Sequence, residues 1–349
     1  MALPPMNFQF HDIAAISVWS DAPFARAFFE AEYGYHRLYP SGHVDVSPPD
    51  QLPRIFLDFR LDTQPPAGFT RHAHKLLARW GYRLAMAPGK VDIRIYGNEM
   101  SVPMAHHMLA HPSLRWLSAG SGTLLLHAGA VAKNGKSLIF TGKGGAGKTT
   151  TTSLVLACGE EWQLHADDYV FLRPGPQSLA YMTRSHLYRD LLKWVPEVGA
   201  RLTGWERARL EIFGLVRKYS REYLKWPVRL DLQHLWLGKS IADQATPAAI
   251  LLLERADVVA PGLIPIDHLE STINDLLEMN FGEAGHFLTL LKKAGQLDEA
   301  WLAAWKEAER ALMTKILADV PAYRLVLPYS QAVKDVQTTL MPILENLVS

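Results

Sequence analysis

The spacing of apolar and polar positions changes period several times along this chain, and each change marks an element. Val91–Tyr96 (VDIRIY) is apolar at every second residue, the period of a half-buried strand. Met104–Ala110 follows the helical period and is expected to stop before Pro112, because proline disfavours helix in the residue ahead of it. Two apolar runs, Thr123–Ala132 (TLLLHAGAVA) and Lys136–Thr141 (KSLIFT), flank Lys133-Asn134-Gly135. Asn-Gly between such runs predicts an antiparallel hairpin. Thr150–Ala157 reads as a helix, with Gly159 suited to its C-terminal cap. Gln163–Ala166 and Tyr169–Leu172 (YVFL) read as short strands around Asp167-Asp168, and Ala248–Glu254 (AAILLLE) as a buried one. Residues 268–316 are mostly helical in pattern, Tyr323–Pro328 closes as a strand and Gln331–Val348 as a helix.

Strands and helices are interleaved and one hairpin is antiparallel, so the pattern predicts an α/β protein with a mixed sheet. Pro48-Pro49, Pro53 and Pro65-Pro66 break the first third into short segments that carry no recognisable chemical motif. Two domains are expected: a smaller N-terminal α/β domain over residues 1–118, and a larger one over 119–349 with a helical C-terminal part.

Composition narrows the function classes. Of 349 residues, 48% are hydrophobic and 20% charged, enough for a sizeable core. A formal net charge of +1 gives no whole-protein field toward nucleic acid or membrane. Cys158 is the single cysteine, so no intrachain disulfide forms, which fits a reducing compartment. The opening MALPPMNFQF lacks the basic and apolar regions of a secretory signal, and no apolar run reaches membrane-span length. The expectation is a cytoplasmic protein without nucleic-acid or membrane partners.

One motif carries explicit chemistry. Gly142-Lys143-Gly144-Gly145-Ala146-Gly147-Lys148-Thr149 fits G-x-x-x-x-G-K-[ST] at every position, with a strand predicted before it and a helix after it. Glycines let the backbone wrap a phosphate with its N–H groups turned inward, and the helix adds its positive end. Residues Gly142–Thr149 and the following Thr150 would bind the phosphates of ATP. Lys148 would reach the β- and γ-phosphates, and the Thr149 hydroxyl would hold Mg²⁺.

The stretch His127–Leu172 resembles the kinase domain of HPr kinase/phosphorylase, and more closely the HPr-kinase-related proteins of peptide and natural-product pathways. The resemblance rests on His127 on the first hairpin strand, the P-loop, and Ala166-Asp167-Asp168 after the P-loop helix. It extends to HMLAHPSL (His107–Leu114) and AAILLLER (Ala248–Arg255). It implies a P-loop kinase domain with the mixed sheet of the HPr kinase and phosphoenolpyruvate carboxykinase group. It makes Asp167 the base, Asp168 the metal-side partner, and His127 a neighbour of the γ-phosphate. The family's Gly-rich, Arg-containing substrate segment has no counterpart here, so a small metabolite or modified peptide is expected as acceptor over HPr.

Residue chemistry agrees independently. Phosphoryl transfer needs positioning, charge neutralisation and a proton acceptor for the attacking hydroxyl, tasks that adjacent carboxylates can divide. The expected activity is an ATP- and Mg²⁺-dependent kinase acting on a hydroxyl of a small molecule or of a peptide or protein serine. KGGxGK[ST] also resembles the deviant P-loop of ParA/MinD-type ATPases, where Lys143 would reach across a dimer interface. The alternatives are therefore a dimerising ATPase of that type or a non-catalytic nucleotide-binding regulator, and a homo-oligomer is compatible with each. Residues 184–229 hold eleven basic against five acidic residues, which suits either a solvated helical face or an acidic acceptor. Arg184 and Arg189 follow the Asp pair most closely and are the expected substrate contacts. His106, His107 and His111 lack the context of a metal site and read as packing residues.

Overall fold

The computed structural model describes residues 3–38, 48–75, 77–329 and 333–349. The chain is α/β with mixed sheets and divides into two compact units: Met1–Leu125 with Asn280–Leu312, and Leu126–Met279 with Met313–Ser349. Among the described residues no helix is long and apolar enough to cross a membrane.

The first unit is built on a six-stranded mixed sheet. Ala14–Ser20, Arg54–Leu61 and Lys90–Gly97 run parallel, and antiparallel strands flank them. The alternation read in Val91–Tyr96 is realised here: Val91, Ile93 and Ile95 pair with Ile55, Leu57 and Phe59, all buried on one face. The segment around Pro112 differs from the expectation. Helix continues from Ser101 to Gly120 through a π turn at His106–Ala110. The His111 N–H bonds five residues back to the His106 carbonyl. Pro112 therefore falls in the first turn of a new α segment, where a missing N–H costs little. His106 accepts or donates a hydrogen bond with the Tyr33 hydroxyl at 2.7 Å, as a packed histidine does.

Asn280–Leu312, which pattern alone places with the C-terminal part, clusters with this first unit. The physical reason is a buried pair. Arg115 donates to both carboxylate oxygens of Glu309, at 2.7 and 2.5 Å, and also to the Asn280 carbonyl. Its guanidinium lies over the Phe281 and Trp305 rings, and Trp305 donates to Glu309 as well. A buried charge with this many partners fixes geometry, since losing one partner leaves the other uncompensated.

The second unit centres on an eight-stranded mixed sheet. Leu124–Lys133 and Lys136–Thr141 form the expected antiparallel hairpin, closed at Lys133 and Lys136. Asn134 and Gly135 take φ of 55° and 74°, the left-handed pair that a type I′ turn requires. Lys136–Thr141 runs parallel to Gln244–Ala256, which runs parallel to Ala322–Pro328. Gln177–Leu179 pairs with Tyr169–Arg173 on one side and with the start of Gln244–Ala256 on the other. Phe140, Val155, Trp162, Leu251, Leu325 and Leu344 join sheet and helices in one core. Residues 184–229 form a two-stranded ribbon, Ser185–Leu187 with Val228–Leu230, and three helices of which Gly204–Tyr219 is the longest. Thr203 and Glu206 cap that helix reciprocally.

Candidate nucleotide-binding site

The P-loop leaves the end of strand Lys136–Thr141 and enters helix Lys148–Cys158. Gly142, Gly145 and Gly147 take φ of 149°, 84° and 105°, values a side chain resists and a phosphate-wrapping loop needs. Lys143, Gly144 and Gly145 are exposed at the tip, while Ala146, Gly147, Thr149 and Thr150 are half-buried. Lys148 is buried and folds back so that its Nζ donates to the Gly142 carbonyl at 2.9 Å. The ammonium thus lies across the loop, at the positive end of the helix, where a phosphate would meet both.

The acidic pair lies in the bend between strands Gln163–Ala166 and Tyr169–Arg173, so strict alternation of faces does not apply. Asp167 is 5% exposed, accepts a hydrogen bond from Ser185 Oγ at 2.6 Å, and is hydrogen-bonded to the Thr149 side chain. Burial pushes its carboxyl up to about 6, and Asp168 adds to this. The Ser185 and Thr149 hydrogen bonds and the Lys148 charge act the other way. Asp168 is more open, and its Oδ1 lies 3.2 Å from His127 Nε2. His127 stacks on Tyr169 at 5.0 Å between centroids, which fixes the ring plane. The three motifs meet at Gly129, one alternation along from His127. A Cβ there would stand 2.4 Å from Thr152 Oγ1 and 3.2 Å from the Asp167 carbonyl. Only a glycine lets this strand lie so close to the P-loop helix.

Arg184 directly precedes Ser185 and is half-buried. Arg189 is exposed and paired with Glu211 at 3.1 Å, further along the same ribbon. Sequence reasoning missed three residues. Ser185, the donor to Asp167, sits in a segment without a motif. Tyr188, three residues on, lines a basic cavity. Arg255 follows the apolar run Ala248–Glu254 and closes the AAILLLER stretch of the resemblance, which gives it no role. Arg255 Nη2 would stand 3.0 Å from a Cβ at Gly147. Its Nη1 donates to the Pro328 carbonyl at 3.0 Å, and its guanidinium faces the Trp194 ring. Burial lowers its pKa, and no carboxylate pairs with it among the described residues. A half-desolvated cation beside the P-loop without a counter-ion is suited to an anion that arrives from outside.

No protein-family model matches the chain, and no curated protein matches it either.

Proposed function

We propose that this chain binds ATP at Gly142–Thr150 and transfers the γ-phosphate to a hydroxyl acceptor. The observation that carries the proposal is the buried Asp167 beside Thr149 and the Lys148 charge, with Asp168 and its partner His127 adjoining it. A Thr hydroxyl and a carboxylate joined by a hydrogen bond are donors of the type Mg²⁺ prefers, alongside waters and phosphate oxygens. When bound, the metal neutralises charge on the β- and γ-phosphates. Lys148 and Arg255 bring further positive charge to the same phosphates.

The contacts favour one division of labour between the carboxylates. The resemblance implies Asp167 as base and Asp168 on the metal side. Asp167 is the one held to Thr149, so we assign Asp167 to the metal side. Asp168, more open and paired with His127, is positioned to take the proton of the acceptor hydroxyl as it attacks. His127 then acts by orienting that carboxylate.

Incubation with γ-labelled ATP, Mg²⁺ and separate small-molecule and protein fractions of a cell extract tests this reading. Label on a hydroxyl compound, formed by the wild type and lost in Asp168→Asn, is expected. Inorganic phosphate alone, with ATP-dependent dimers that require the exposed Lys143, would replace the kinase with a dimerising ATPase. Nucleotide binding with neither outcome would leave a regulator.

A further inference from the structure

The ribbon that supplies Ser185 to Asp167 continues into a cavity of about 330 Å³, within the size range of small-ligand sites. Ser185 and Tyr188 are three residues apart, so the cavity wall begins within roughly 10 Å of Ser185, the residue bonded to Asp167. Tyr188 lines the cavity and is close enough to Asp168 and to Arg217 to feel both charges. Phe213 and Trp226, 5.7 Å apart and nearly perpendicular, give the cavity an aromatic wall, and Leu187 and Leu210 extend it.

The charges around this cavity do not cancel. Asp190 and Glu222 are both engaged by Arg217, at 3.2 and 2.7 Å, and Glu211 engages Arg189. Lys218 and Arg221 line the cavity, are exposed, and belong to no ion pair among the described residues. Arg221 also stands in an unusual conformation. The Glu222 N–H bonds to the Arg217 carbonyl and the Arg221 N–H to the Lys218 carbonyl, the two bonds of a Schellman cap. The left-handed position of such a cap strongly favours glycine, yet Arg221 occupies it at φ 48° and Glu222 follows at φ 68°. Cations near a helix C-terminus need no ligand to be stabilising. An aromatic-walled hollow on the ribbon that holds Asp167 is not explained by that role.

We propose that this cavity is the acceptor subsite, and that the acceptor is a small molecule with an apolar or aromatic body and an anionic group, carboxylate or phosphate. The anion is held by Lys218 and Arg221, and the body lies against Trp226 and Phe213. The hydroxyl is thereby directed toward Asp168. This assignment rests on the phosphotransferase reading for its role, and its test is a binding measurement that does not.

Titration calorimetry at low salt with phenyl phosphate, 3-phenyllactate and neutral 3-phenylpropane-1,2-diol separates the outcomes. At least one anionic probe should bind tenfold or more tightly than the diol. Whether phosphate or carboxylate wins shows which anion the subsite prefers. Lys218→Gln with Arg221→Asn, the latter chosen because asparagine tolerates the left-handed conformation, should weaken the anionic probe at least tenfold and leave Mg²⁺-ATP binding unchanged. Trp226→Ala should weaken all probes. Binding of the anionic probe must survive Lys148→Ala, which removes the P-loop instead. The proposal is overturned if neither anionic probe binds, if the diol binds equally well, or if the double variant binds as the wild type does. ATP affinity in the same samples reports separately on the P-loop.

Discussion

Asp167→Asn should make the protein more stable at neutral pH while damaging its proposed activity. The folded state raises this carboxyl from its ordinary 3.8 to about 6, so folding favours the protonated form. The stability this gives is full below pH 3.8 and is lost as pH rises through about 6. At about 1.4 kcal/mol per pH unit, the ionised wild type is weakened by about 3 kcal/mol above pH 7. Asparagine is neutral throughout, keeps the shape, and can accept from Ser185 and donate to Thr149. For a unit of this size, about 3 kcal/mol corresponds to roughly 6–12 °C in Tm. Thermal unfolding by circular dichroism at pH 4, 6 and 8 should therefore give near-equal midpoints at pH 4 and a gap that opens by pH 8. Mg²⁺ with nucleotide should narrow the gap by compensating the buried charge. Equal midpoints at pH 8, or a less stable variant there, would refute the claim that a desolvated carboxylate is held beside Thr149.

Other perturbations address the remaining parts of the site. Lys148→Ala should abolish Mg²⁺-ATP binding by calorimetry, and unchanged affinity would remove the P-loop assignment. Asp168→Asn should keep ATP affinity and slow transfer by about 10²–10⁴-fold, as expected for a lost general base; a fully active variant would return that role to Asp167. Arg255→Met should lower ATP affinity by about 10–100-fold through one lost charge-assisted contact, and equal affinity would reduce Arg255 to packing against Trp194. Gly147→Ala combines φ of 105° with Arg255 Nη2 at 3.0 Å, so it should impair both folding yield and ATP binding; a wild-type titration would show that the loop tolerates a methyl there.

What the sequence revealed was local. Asn134-Gly135 encodes its turn in two residues, and the P-loop encodes three left-handed glycines in eight. The Asp pair was visible because it interrupts apolar runs. What stayed hidden depends on contacts between distant segments. Asp167 acquires its character from Ser185 and Thr149, and its burial is set by packing that no window of residues contains. Arg255 closes a stretch whose pattern gives it no role, and the parallel pairing of Gln244–Ala256 with Lys136–Thr141 is what carries it to the loop. Pro112 does not end the helix, because the π turn ahead of it shifts the hydrogen-bond register. The membership of Asn280–Leu312 turned on Arg115 and Glu309, two charges that a hydropathy pattern assigns to the surface.

That last pairing has a consequence for how the molecule is made. Arg115 leaves the ribosome long before Glu309 exists. At the usual ~5–20 residues per second, Leu312 follows Leu125 by on the order of 10–40 s. During that interval the nascent first unit holds a guanidinium and aromatic-facing surface whose partners are still unsynthesised. Its folding must therefore be completed late, after most of the second unit has already emerged. Fragments ending near residue 125 should inherit the same deficit permanently, and would be expected to need a chaperone or the missing helices supplied in trans.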